Sequence, residues 1–361
     1  MNQIDIEKFE LRQKISTYAK SIGFDLVGFS PAKIEGKYLK AFDEWLEKGC
    51  EGEMEYMRKI EQRRDLSKIL PGAKSVIVFG LNYYHEQPDL PRGHGRVARY
   101  AYGRDYHKVI GKKLKMIEKF IQEIAENPPL SSPLTKSYVD TGPILERALA
   151  EQSGIGRIGK NGCVISKEFG SWIFLSEIIT TLDLNFSINN HHQSLPAERW
   201  SDPSAPSFNV CGNCNKCMTS CPTGAIIAPG VVDARLCISY LTIENKKSIP
   251  PRLAKIIKKT RRLYGCDICQ EVCPHQTRAQ RAGIATREPK LSMDGLFTPI
   301  AGDSLELKTL RPAHAKTTKQ DKSPIRADAA FLQTFAGSPI MRAKRKGLKR
   351  NAKIINVLRR K

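Results

Sequence analysis

Eight of the ten cysteines in this 361-residue chain fall between Cys211 and Cys273, and no other feature narrows the possible folds so far. The segment CGNCNKCMTSCPTGAI spaces Cys211, Cys214, Cys217 and Cys221 as C-x2-C-x2-C-x3-C-P. In such a run three closely spaced thiolates wrap one cubane, and the fourth, set before proline, reaches a second cluster. A second segment, CDICQEVCP, supplies Cys266, Cys269 and Cys273, and Cys237 in DARLCISYLTIE makes up its missing ligand. The crossing rule then assigns Cys211, Cys214, Cys217 and Cys273 to one [4Fe–4S] cluster, and Cys221, Cys237, Cys266 and Cys269 to the other. Two zinc sites built from C-x2-C pairs would leave the tightly spaced third and fourth cysteines and both Cys-Pro endings without a purpose. Cys50 and Cys163 are left over and read as small packed hydrophobes.

Two neighbouring cubanes make an electron relay, so the chemistry must come from elsewhere in the chain. Before the cysteines, strands and helices alternate. Ile6 to Ile22 has helical periodicity, and Phe24 to Phe29 and Ser75 to Leu81 read as strands. His107 to Glu126 reads as a helix, a strand ends at Asp140, and Pro143 to Gln152 reads as a helix with proline in its first turn. Apolar strands follow at Cys163 to Ile165 and Trp172 to Ile179. This order predicts an α/β (α+β) domain over residues 1–185 and a ferredoxin-like module with two clusters over 208–280. A poorly structured excursion over 281–328 and a basic helical segment over 329–361 complete the chain. The polar connection from Asn185 to Phe208, between the α/β domain and the cysteine module, carries His191 and His192, which read as solvated. No Walker loop and no G-x-G-x-x-G is present. Asp105-Tyr106-His107 with Gly111 is one residue too long for the D-x-H-x-x-G loop that ligates cobalt in some cobalamin proteins.

The chain carries 59 Lys and Arg against 37 Asp and Glu, a formal charge of +22, which points to a polyanionic partner. From Met341 to Lys361 there are ten basic residues and no acidic one, and KIIKKTRRLYG ends just before Cys266. A solvated basic tail is the plainer alternative. The start of the chain lacks a basic-then-apolar signal, and no apolar run is long enough to span a bilayer. A cytoplasmic protein with no membrane association is expected, and reduced cytosolic thiols favour metal ligation over disulfides.

The ordered segments RRDLSKILPGAKSVIVFGLNYY, ARYAYGRDYHK, YVDTGPILERALAEQSGIGRIGKNGCVI, FGSWIFLSEIITT, CGNCNKCMTSCPTGAI, DARLCISYLTIE, CDICQEVCP and FAGSPIMRAKRKGLKRN resemble epoxyqueuosine reductases. The resemblance runs from about Arg63 to Asn351 in family order. It implies reduction of the epoxide of epoxyqueuosine, at the wobble position in the anticodon loop of tRNA, to queuosine. It also implies base-off cobalamin beside the two clusters, bound by the N-terminal domain. Asp140, in the segment matching YVDTGP, is implied as the proton donor, a role that needs a carboxyl group held protonated near neutral pH. Arg63, Lys160, Asn161, Ser166, Ser171, Ser239 and Asp267 are implied as cobalamin contacts. Gly159, Gly162 and Gly170 would allow close backbone approach. Arg342, Lys344, Arg345, Lys346, Lys349 and Arg350 are implied as tRNA phosphate partners. A monomer served by a flavodoxin or ferredoxin-type electron donor is also implied. The sequence departs from the family at CPHQTRAQ, where CPWN is usual, and over Ala282 to Asp328.

Two other readings fit parts of the pattern. A reductive dehalogenase-like enzyme acting on a small molecule is disfavoured by the basic tail, and a cluster-bearing electron-transfer subunit would need neither cobalamin nor RNA. Protein purified without oxygen is expected to carry about eight irons per chain, plus about one cobalt when cobalamin is supplied. Elemental analysis checks this, and half the iron would contradict the two-cluster assignment.

Overall fold

A strand covered on both faces must be apolar at almost every position rather than at alternate ones. SVIVFGLN, residues Ser75–Asn82, is such a segment and is buried along its whole length. The computed structural model describes residues 3–85, 94–125, 133–185, 210–276, 304–305, 331–332 and 335–355. Within the first part lie α1 (Gln3–Ser21), β1 (Leu26–Pro31), α2 (Gly36–Glu47), α3 (Ile60–Arg64), β2 (Ser75–Asn82) and β3 (Gly95–Val97). Next come α4 (Tyr106–Ala125), β4 (Thr135–Tyr138), α5 (Glu146–Gln152), β5 (Arg157–Ile158), β6 (Val164–Ile165) and β7 (Ile173–Thr180).

The main sheet has the order β1-β2-β7-β4. All three pairings are antiparallel, so alternation of strand and helix in the sequence does not produce a parallel sheet. Period-two geometry divides β2 between two layers. Ile77, Phe79 and Leu81 face a core shared with Ile15 of α1 and with Ile110, Leu114, Ile117 and Ile121 of α4. Val76 and Val78 face a second core with Leu149 of α5 and Ile179 of β7. Each fully buried branched side chain contributes about 1.5–3 kcal/mol, which is why the three-and-four spacing of α4 was readable. The helix expected from Pro143 begins only at Glu146. The preceding turn is occupied by a loop in which Asp140 has φ 58°.

The cysteine module contributes α6 (Lys216–Ser220), β8 (Ile226–Ala228), β9 (Val231–Val232), α7 (Ile238–Ile243), α8 (Pro251–Thr260), β10 (Arg262–Tyr264) and α9 (Ile268–Glu271). β10 pairs in parallel with β3. β11 (Ser304–Leu305) pairs with the other edge of β3 and lies within the expected excursion, the rest of which falls outside the described residues, as do His191 and His192. A last helix, α10 (Lys344–Ile354), packs Leu348 and Ala352 into the core that holds Ile238, Leu263 and Ile77. One core therefore runs from α1 to α10, across the boundaries expected from the sequence. Among the described residues no helix is long and apolar enough to cross a membrane.

α10 is fastened by polar groups as well. Asn351, fully buried, donates to the carbonyls of Thr242 at 2.8 Å and Leu263 at 2.9 Å. Arg350 donates to the carbonyls of Leu241, Asn245 and Lys247, satisfying acceptors at the end of α7. Replacing Asn351 with Ala strands two buried carbonyls, each costing about 1–3 kcal/mol. An Asn351→Ala variant is expected to lose about 2–4 kcal/mol of stability, measured as a lower urea midpoint with an unchanged slope.

Candidate active site and cluster ligands

Asp140 follows β4 in a left-handed backbone conformation that a non-glycine residue adopts only when its surroundings enforce it. Its N–H donates to Glu146 Oε1 at 2.7 Å. Its Oδ2 accepts from the Tyr106 hydroxyl at 2.8 Å and lies 3.3 Å from His107 Nε2. The other imidazole nitrogen, Nδ1, is 2.7 Å from Asp105 Oδ1. Asp105 also accepts the His107 backbone N–H at 3.1 Å, opening α4, and donates its own N–H to Gly337. Tyr106 stacks on Phe174 of β7 at 4.3 Å. The first turn of α4 thus holds an Asp-His-Asp chain rigidly against the sheet.

Burial alone would raise the Asp140 carboxyl. Contacts from His107 and Tyr106 outweigh burial and, with the charge of Arg342, leave its pKa below the ordinary value. Burial likewise opposes a charge on His107, but Asp105 and Asp140 overcome it and lift the imidazolium to about 9. The expectation that Asp140 itself is held protonated is therefore corrected. At neutral pH the proton sits on His107, between two carboxylates.

Asp140 opens onto a cavity of about 1440 Å³ between the sheet and the cysteine module, larger than the roughly 300–1,000 Å³ of ordinary ligand sites. Its walls include Arg63, Glu146, Lys160, Cys237, Tyr240 and Arg342. A second, small cavity of about 50 Å³ is lined by Cys211, Cys214, Cys217 and Cys273 together with Lys160, Asn161 and His275. Cys237 lies within electrostatic reach of Cys221 and Cys266, and Cys269 within reach of Cys266 and Cys237. One expected ligand set thus shares a single small cavity, and members of the other lie within electrostatic reach of one another. Backbone N–H groups of Lys160 and Ala225 point at Cys211 and Cys221 at 3.3 and 3.2 Å, the kind of donor that tunes cluster potential. Burial pushes the Cys266 thiol up to about 12, so iron binding must release its proton. Cys163, expected as a packed hydrophobe, lies near Cys237 and Cys273, and burial lifts its thiol to about 11.

Of the expected cobalamin contacts, Arg63 and Lys160 line the large cavity, and Asn161 faces the small one. The others do not line the large cavity. Ser166 closes a turn onto Gly170, and Ser171 is held by Gln270 and Gln276. Asp267 accepts the Arg99 N–H at 2.8 Å. Ser239 points its backbone N–H at Cys237. The side-chain polar groups of Ser166, Ser171 and Asp267 are engaged internally, whereas for Ser239 the engaged groups are those of the backbone. Gly170 has φ 58°, and the space a Cβ would need there is filled by Gln276.

The C-terminal cations also divide. Arg350 is committed to carbonyls and acts as a clamp, which corrects its expected phosphate role. Arg342 pairs with Glu244 and lies 5.8 Å over the Tyr56 ring at the cavity rim. Lys344, Arg345, Lys346 and Lys349 lie on or beside the exposed part of α10. Tyr106, His107 and Glu146 were missed as site residues. Asp-x-His at a helix start was the available signal for the histidine.

The family described as "Epoxyqueuosine reductase QueG, DUF1730" matches residues 63–141, and a "4Fe-4S double cluster binding domain" matches 210–276. A curated epoxyqueuosine reductase of Gloeobacter violaceus is 38% identical over 343 residues, covering 94% of each chain. One from Synechocystis is 39% identical over 312 residues, covering 85% of this chain and 91% of its own. A solved epoxyqueuosine reductase with a tRNA-Tyr epoxyqueuosine-modified stem loop superposes with a TM-score of 0.74 at 30% identity, over 96% of this chain and 81% of that one. A Bacillus subtilis structure, with its catalytic loop swung out of the active site, gives 0.73 at 29% over the same shares. Fold and cysteine geometry define a mixed α/β oxidoreductase with a double [4Fe–4S] module. The chain belongs to the epoxyqueuosine reductase family.

The His107 assignment has a thermodynamic consequence. A pKa raised from 6.5 to about 9 in the folded state stabilises the fold fully below pH 6.5, and this contribution is lost as pH rises through about 9. Between those values stability is expected to fall by up to about 1.4 kcal/mol per pH unit from this residue. The slope should vanish in His107→Gln, and NMR titration of the imidazole should give a midpoint near 9. A midpoint near 6.5 would refute the assignment.

Proposed function

We propose that this chain reduces epoxyqueuosine in tRNA to queuosine. Electrons arrive through the two clusters, and protons come from the Asp140–His107–Asp105 chain. The observation that carries this reading is the large cavity itself, which has the proton-handling Asp140 and the cluster ligand Cys237 in its walls. Converting an epoxide to an alkene breaks two C–O bonds and consumes two electrons and two protons, with the oxygen leaving as water. A site for this reaction must bring an electron relay and a proton donor to one space. The names of the curated relatives, and the tRNA stem loop bound by the solved neighbour, support the substrate.

The cavity has room for a cofactor of corrin size beside a nucleoside. Arg63 is buried in its wall with Nε unpartnered, a donor suited to the amide-bearing edge of such a ring, and Lys160 offers a second. Base-off cobalamin there would supply a cobalt centre able to pass electrons to carbon. When the cavity fills, water is withdrawn from Asp140, strengthening the burial that already pushes its carboxyl up and moving the His107 proton onto it. Tyr106 and the Glu146 contact to the backbone keep that carboxyl aimed into the cavity. Arg342, Lys344, Arg345, Lys346 and Lys349 are read as the phosphate-facing side, holding the anticodon loop in register without reading sequence. A base drawn out of the loop into the pocket follows the general logic of base-modifying enzymes. In this reading residues 1–185 supply the cavity, 208–280 the relay and 329–361 the RNA-facing segment. A cytoplasmic monomer supplied by a flavodoxin or ferredoxin-type donor completes it.

Reduced protein loaded with clusters and cobalamin is expected to convert epoxyqueuosine in tRNA to queuosine, detected in digested nucleosides. Asp140→Asn should keep cobalamin and tRNA binding and lose about 100-fold or more in turnover. Unchanged turnover in that variant would remove Asp140 from the proton path.

A further inference from the structure

The reaction above needs two protons, and the Asp140–His107 pair holds one. Behind it lies a group that pairing with donors cannot explain. Glu177 sits in β7, in the middle of the sheet, opposite Val78 of β2 and Tyr138 of β4. It is fully buried, and neither of its carboxyl oxygens meets a hydrogen-bond donor among the described residues. By the alternation of β7 it shares the face of Ile173 and Ile179, the layer that packs α5. There its carboxyl meets that of Glu146, the first residue of α5. A buried carboxylate without a donor costs several kcal/mol. One proton held between the two acids relieves that cost, with Glu177, the more deeply buried, donating to Glu146, which in turn accepts the Asp140 N–H.

We propose that Glu177 and Glu146 store a proton at neutral pH, and that Glu146, opening into the cavity beside Asp140, passes it to the Asp140–His107 site as the second proton of the reduction. This rests on the reductase reading above. The balance closes. Two electrons enter from the external reductant through the clusters, both epoxide C–O bonds break and the C=C bond forms. One proton reaches the oxygen from His107 by way of Asp140, and the other from Glu177 by way of Glu146, so the oxygen leaves as water. Solvent entering the emptied cavity then recharges the pair.

The groups facing the pair favour storage. Burial raises both acids first, and the Asp140 carboxylate raises both further. Among the described residues Arg147 and Arg63 come within reach of Glu146 as cations, and Arg147 is turned aside to the Gly162 carbonyl at 2.6 Å. Tyr106, the remaining titratable neighbour, is itself held neutral by burial and by Asp140. Two adjacent carboxyls in such a site titrate as a unit that keeps at least one proton through neutrality. Glu177 touches neither cavity nor substrate, so it is a positioning and storage residue.

Glu177→Gln separates storage from structure, because the carboxamide keeps the shape and still donates to Glu146 but has no proton to release. Infrared spectra of the loaded protein at pH 7 are expected to show a protonated-carboxyl carbonyl stretch that shifts in D2O and disappears in Glu177→Gln. In single turnover of epoxyqueuosine tRNA, Glu177→Gln should be about ten- to hundredfold slower, with its deficit growing as pH rises. Glu146→Gln, at the cavity edge, carries the same expectation should the sheet variant fold poorly. Absence of the infrared band, or turnover by both variants within about twofold of the unsubstituted protein, would overturn the proposal while leaving the reductase reading intact. Unsubstituted protein that forms no queuosine would overturn the reading itself and the delivery step with it.

Discussion

Eight sulfurs from three separate stretches of chain must converge on two small volumes, and much of the architecture serves that convergence. The run at Cys211–Cys221 and the run at Cys266–Cys273 are brought together through α6 and α9, with Cys237 carried in at the start of α7. The segment between must fold back on itself, and it does so by pairing β10 with β3. That pairing ties the module to the sheet-bearing part of the chain. Leu263 and Tyr264 of β10 share one core with α4 and β2. The cysteine module is thus built into the same core as the sheet, which fixes Cys237 against the large cavity without a hinge between electron source and site.

Charge placement at the cavity follows from the same packing. The strained backbone at Asp140 costs about 1–3 kcal/mol, and its N–H bond to Glu146 helps offset this. The strain turns the carboxylate toward the cavity, while Tyr106 and His107 reach it from the first turn of α4. Burial by itself raises a carboxylate here. With His107 beside it the preference reverses, and the proton rests on the imidazole, whose Nε2 lies 3.3 Å from Asp140 Oδ2. Occupation of the cavity can tip that balance, because only water removal is needed to strengthen the opposing effect.

Local pattern revealed the elements but not their meeting points. α4 was legible from its strong helical periodicity and β2 and β7 as long apolar runs, and the observed bounds of these and of α1 lie within a few residues of those expected. α2 was not anticipated, although Leu46 and Trp45 lie on its inner side. The cysteine ligands were legible because cubane binding imposes spacing directly on the sequence. His107 was visible only as part of a cobalt motif that did not fit. Its real partner, Asp140, is separated from it by the whole of α4 and β4, so the contact is tertiary and leaves no spacing to read. Arg350 and Lys349 look alike in a basic run, yet one caps α7 and the other faces outward on α10.

Glu177 illustrates how burial converts a chemically ordinary residue into a specialised one. Its strand reads IFLSEIIT, and period two alone assigns it to the α5 layer among Ile173 and Ile179, where a charge has no solvation. An apolar residue would pack there at lower cost, since replacing buried ionisable groups with well-packed hydrophobes is often stabilising. The carboxyl is instead matched with the first side chain of α5, the same side chain that holds the Asp140 backbone. The protonation of Glu177 is therefore felt electrostatically by Glu146, which accepts the hydrogen bond from the Asp140 backbone in its left-handed turn. Through these three acids, the interior of the sheet is electrostatically linked to the residue that faces the cavity.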